Sequence, residues 1–184
     1  MGKETQLTFY LAKEVTDEPC HRANYDAAKR RQAGRKEGKL DEAIVLAKEL
    51  VQTEPANPVA QYQCAWCHDS AGLEKEAVPY YEKAIELGLS PEDDLAGALL
   101  GLGSTYRTLG RYEEAAETLA KGMQQFPDDR SFPVFLSMAY YNLGRHHEAM
   151  TLLLQNLAET TSDPSLFAYR KALLFYANDL DKTW

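Results

Sequence analysis

With three cysteines, two tryptophans, eight prolines and eleven glycines in 184 residues, the chain lacks the raw material of several protein classes. So few cysteines cannot staple a disulfide-dominated fold, and so little proline and glycine excludes a collagenous or low-complexity chain. No stretch approaches the roughly 18 consecutive apolar residues that a membrane-spanning helix needs. No export signal is expected either, because the apolar run from Leu7 to Ala12 is short and meets Lys13 and Glu14 at once. A cytoplasmic protein with reduced thiols and no membrane association is therefore expected. There is no G-x-S-x-G, no glycine-rich phosphate loop and no H-E-x-x-H, so catalysis is not expected.

Positive charge is also scarce over most of the chain. The net charge is -8, yet residues 1 to 57 hold ten Lys/Arg and ten Asp/Glu, so the deficit falls entirely on the remainder. An acidic body argues against nucleic acid as a partner, since phosphate neutralisation dominates that affinity. One basic cluster stands apart: Lys29, Arg30, Arg31, Arg35, Lys36 and Lys39, opposed by Glu37 alone. It reads as a solvated helix face, or as a site for an acidic peptide.

What the sequence does have is self-similarity. The stretches GKLDEAIVLAKEL (38 to 50), GLEKEAVPYYEKAI (72 to 85), GRYEEAAETLAKGM (110 to 123) and GRHHEAMTLLLQNL (144 to 157) each open with Gly and reach Glu-Ala five residues on. They recur at spacings of 34, 38 and 34 residues, the period of a helix-turn-helix solenoid. Gly38, Gly72, Gly110 and Gly144 are placed where one helix ends and the chain turns. The extra four residues before the third unit are explained by Ser90-Pro91-Glu92-Asp93, which reads as an early helix start. Pro79 falls inside a helix and should kink it. Ser162-Asp163-Pro164 starts a last helix, expected to run to about Lys182 and to cap the array.

Leu99, Leu102, Gly103, Tyr106, Gly110, Tyr112, Ala115, Leu119, Gly122 and Pro127 make the third unit resemble a tetratricopeptide repeat (TPR). The stretch from Asp69 to Tyr81 is similar to a small bacterial TPR group. The resemblance implies an all-α, right-handed α-solenoid of about four helical hairpins. Its units would span 24 to 57, 58 to 91, 96 to 129 and 130 to 163, preceded by a segment 1 to 23 with a further helix near 4 to 16. Residues 164 to 184 would form the C-terminal cap. The family's small contact positions read Ala65, Ala77, Ala84 in the second unit and Gly103, Ala115, Gly122 in the third. In the first they read Arg31, Ala43, Leu50, so that hairpin is expected to pack least well.

The resemblance further implies a concave groove lined by the first helix of each hairpin. It falls on Gln32, Arg35 and Lys36 in the first unit and on Tyr62, Trp66 and Asp69 in the second. In the third it falls on Ser104 and Arg107, and in the fourth on Met138, Tyr141 and Asn142. An interaction scaffold that binds a peptide or helix of another protein is the expected function, with no cofactor and no metal. The alternative is a self-associating structural protein, its groove filled by its own helix or by a second subunit, with a homodimer formed through the C-terminal helix. The remaining alternative rests on Cys64-x-x-Cys67-His68, which matches a c-type haem attachment string; a zinc site drawing on Cys20 and His21 is its variant. Cys64 and His68 occupy TPR packing positions, so buried structural cysteines are the preferred reading.

Overall fold

The computed structural model describes residues 37–90 and 92–183, and these form nine α-helices and no strand. They are α1 (Glu37–Thr53), α2 (Pro58–Ser70), α3 (Glu74–Glu86), α4 (Glu92–Thr108), α5 (Tyr112–Gln125), α6 (Ser131–Asn142), α7 (His146–Thr160), α8 (Pro164–Phe167) and α9 (Arg170–Ala177). Each helix packs on the next in chain order from α1 to α7, and α2, α4 and α6 also touch in sequence. The result is a helical solenoid in which the first helix of each hairpin belongs to one row. None of the described helices is long and apolar enough to cross a membrane.

The turns follow from local chemistry. Asn57 caps α2: its side-chain oxygen accepts from the N–H groups of Val59 at 3.0 Å and Ala60 at 3.4 Å, and Pro58 takes the first helical position. At the far end, Gly72 has φ 77°. The Leu73 N–H donates to the His68 carbonyl at 2.9 Å and the Gly72 N–H to the Asp69 carbonyl at 3.0 Å. That bond pair requires left-handed backbone, which glycine adopts without a Cβ penalty. The same two bonds recur at Gly110 and Gly144. Gly38 departs from the expectation, for it lies in the first turn of α1. Helix α4 does begin early, having 17 residues against 13 in α2. Pro79 lies inside α3.

Small residues set how closely the hairpins approach. A Cβ at Gly103 would sit 2.5 Å from Leu119 Cγ, and one at Gly122 would sit 2.0 Å from Phe132 Cε1, on the following hairpin. Ala65, Ala77, Ala84 and Ala115 are likewise buried in helix contacts. The core built on this spacing runs from Tyr62 through Tyr81, Leu99 and Leu119 to Leu136. Arg31 and the first helix of the first unit lie outside the described residues, as do Gln32, Arg35, Lys36, Cys20 and His21. The expected single C-terminal helix is broken. Tyr169 N–H donates to Leu166 rather than to the residue four back, and α9 ends at Ala177.

Candidate functional site

Two of the residues expected to line a groove meet across neighbouring hairpins. Arg107, in the last turn of α4, donates through Nη1 to Asn142 Oδ1 at 3.4 Å, beside the end of α6. The Nε of Arg107 is buried with no hydrogen-bond partner among the described residues. Leaving a buried donor unsatisfied costs about 1–3 kcal/mol, and a charged group sits at the upper end. Ser104, one turn earlier on α4, is half-buried.

The aromatic residues divide. Tyr141 is 64% exposed, its ring tilted against His146 with centroids 4.9 Å apart. Met138 is half-buried on the same helix. Tyr62, by contrast, belongs to the core, its ring 6.1 Å from that of Tyr81. Trp66 is half-buried and packs on the cluster of Ala43, Ile44, Ala47, Cys64 and Cys67. The Tyr81 hydroxyl donates to Asp69 Oδ2 at 3.3 Å. The second hairpin therefore commits Tyr62, Trp66 and Asp69 largely to internal contacts, while α4 and α6 present Arg107, Met138, Tyr141 and Asn142.

The Cys64-Ala65-Trp66-Cys67-His68 string is wound into the middle of α2. Thioether linkage would need both sulfurs at a surface, yet Cys64 and Cys67 are buried. Burial pushes the Cys64 thiol up to about 11 and the Cys67 thiol, beside Cys64, up to about 12. Both stay protonated and poorly nucleophilic at neutral pH. His68 is buried, stacked on Tyr80 at 5.2 Å, with Nδ1 placed 2.6 Å from the Cys64 carbonyl oxygen that accepts from it. In the repeat phase His68 stands where Tyr106 and Tyr140 stand, so its role is packing. An open cleft of about 540 Å³ lies beside it, between α1, α2 and α3.

Tyr106 and Tyr140 reveal a device the sequence reading missed. Arg111 lies 4.1 Å over the Tyr106 ring and Arg145 3.8 Å over the Tyr140 ring. Each arginine follows a turn glycine and also pairs with a glutamate three residues on, Glu114 and Glu148 respectively. Those guanidinium contacts hold both carboxyls below their usual range. The signal was present as Tyr-x-x-x-Gly-Arg in both units, and the cation–π contact clamps the turn.

Comparison with known proteins agrees with this geometry. The Tetratrico peptide repeat family model matches residues 58–180. Aspartyl/asparaginyl beta-hydroxylase of Homo sapiens is 30% identical over 149 residues, which is 77% of this chain and 19% of that protein. The Mus musculus counterpart is also 30% identical over 149 residues, covering 77% of this chain and 20% of its own length. The chain thus spans about a fifth of these relatives. Among solved structures, MamA 41-end from Desulfovibrio magneticus RS-1 aligns with a TM-score of 0.65 at 18% identity, covering 97% of this chain and 92% of that one. This is a likeness of fold.

Proposed function

The chain belongs to the tetratricopeptide repeat family, and on that footing we propose that it is a non-enzymatic scaffold binding a peptide or helix of another protein along the row of α2, α4 and α6. One observation carries the reading: the Arg107–Asn142 pair, which joins the ends of α4 and α6 along that row. A backbone carbonyl or carboxylate of a bound segment pairs with the half-exposed Arg107, whose guanidinium suits both. Tyr141, exposed beside this pair on α6, supplies the anchor type that dominates binding energy at protein interfaces. The similarity to the hydroxylases covers a fifth of their length, so binding rather than hydroxylation is the activity proposed for this chain.

The test is selection from a phage-displayed random peptide library, followed by calorimetry of a selected synthetic peptide. Tyr141→Ala is expected to weaken that peptide about thirtyfold while leaving melting unchanged, since an anchor is worth roughly 2 kcal/mol and a decade about 1.4. Arg107→Ala is expected to weaken it less, with the loss shrinking as salt is raised. Peptides that bind both variants as tightly as the native chain would place binding elsewhere.

A further inference from the structure

The second helices of successive hairpins carry equivalent residues in phase. Ile44, Val78, Ala116 and Met150 share one position; Ala47, Tyr81, Leu119 and Leu153 share a second; Val51, Ile85, Met123 and Leu157 share a third. On α1, α3 and α5 the first two positions are buried and the third is half-buried. On α7 the same three are open: Met150 is 47% exposed, Leu153 40% and Leu157 39%. The cause is the neighbour. Helices α1, α3 and α5 are each followed by a full hairpin, whereas α7 is followed by the short α8 and α9. Helix α9 covers another side of α7, where Thr151 Oγ1 donates to the Ala177 carbonyl at 2.8 Å and Gln155 donates to Asn178 Oδ1 at 3.3 Å. The open strip is spaced i, i+3, i+7 along α7, so its residues share one face.

We propose that this strip is the centre of a two-fold interface with a second copy of the chain, with Met150, Leu153 and Leu157 of each copy packing on the other. Three features of the molecule select that occupant. The first is area. Of the twelve exposed large hydrophobics among the described residues, nine fall between Met150 and Leu180. Phe167, Tyr169, Phe175 and Tyr176 are at least half exposed, and at roughly 150–250 Å² per aromatic side chain they alone offer on the order of 400 Å², half of what one partner brings to an interface of standard size. That suits a folded partner better than a short peptide.

The second feature is charge. Residues 150 to 158 and 172 to 178 contain no Asp, Glu, Lys or Arg, in a chain of net charge -8. Another acidic copy can close on this face without setting like charges against each other. The third is the absence of a complementary patch. The three other exposed large hydrophobics, Val45, Leu73 and Tyr141, are scattered over α1, the turn before α3, and α6. Among the described residues a head-to-tail partner finds no matching surface, while an isologous pairing needs none beyond the strip itself.

Light scattering and sedimentation of the full chain test this, comparing the native protein with Leu153→Glu and with Val45→Glu, whose site is an exposed apolar residue off the strip. From about 1 to 200 μM, a range that reports dissociation constants near micromolar, the native chain and Val45→Glu should reach twice 20.7 kDa. Leu153→Glu should stay at 20.7 kDa with an unchanged helical dichroism spectrum, its dissociation constant raised at least ~100-fold because the two-fold axis counts the change twice. If that variant loses helicity, Met150→Lys takes its place with the same expectation. A native chain that is monomeric throughout would overturn the proposal and leave the strip to a different protein. A dimer that survives both strip substitutions would overturn it as well.

Discussion

The hairpins α4–α5 and α6–α7 share one repeat register and stand in different physical situations. In the former, Ala116 and Leu119 are buried, and Gly122 lets the Phe132 ring of the next hairpin lie where a Cβ would be. In the latter, Met150 and Leu153 are open, and Asn156 takes the place of Gly122. Asn156 Nδ2 donates to the Arg130 carbonyl at 3.5 Å. A repeat fixes what each helix presents, and the following hairpin decides whether that face becomes core or surface. In a solenoid, stability is approximately a sum over such neighbour contacts. The two surfaces also differ in kind. The row near Arg107 and Tyr141 mixes a charged donor with an aromatic ring, and the α7 strip is apolar and uncharged.

The largest test of this contrast is truncation at one repeat position in both hairpins. Leu119→Ala should cost about 2–5 kcal/mol, the range for emptying a packed site. Leu153→Ala, its equivalent on α7, should cost about 1 kcal/mol in dilute protein, because much of its side chain already meets water. Urea unfolding midpoints at a concentration below dimer formation compare them; equal losses would break the contrast. A smaller effect is expected at the position of closest approach. Gly122→Ala should lose about 1–2 kcal/mol, since overpacking against Phe132 outweighs the gain in helix propensity. Asn156→Ala should be neutral or slightly stabilising, and thermal melts of the two variants check the difference in sign.

Most of the fold was legible because a repeat multiplies weak signals. One Gly in a turn says little, but Gly72, Gly110 and Gly144 in phase with Ala77, Ala115 and Ala149 specify hairpins, and the small residues Gly103 and Gly122 specify close contacts. Gly38 had the same phase and a different fate inside α1, as phase alone does not fix where a helix starts. The break before Arg170 was invisible, since Ala168 and Tyr169 carry no glycine or proline to announce it. The groove was legible in part. Repeat register put Arg107 and Asn142 on facing elements, and they meet. Register could not say how deep a neighbour reaches, so Tyr62 and Trp66 were expected at the surface and instead pack against Tyr81 and the α1 cluster. The α7 strip escaped notice for the converse reason: its residues look like core, and only the missing neighbour makes them surface.

Amide hydrogen exchange, followed helix by helix at two protein concentrations, tests most directly the claim that neighbours decide burial. In dilute protein, the amides of α7 should exchange clearly faster than those of α5, and raising the concentration should slow α7 while leaving α5 unchanged. If α7 is as well protected as α5 in dilute protein, the following hairpin is not what seals these helices, and the account fails.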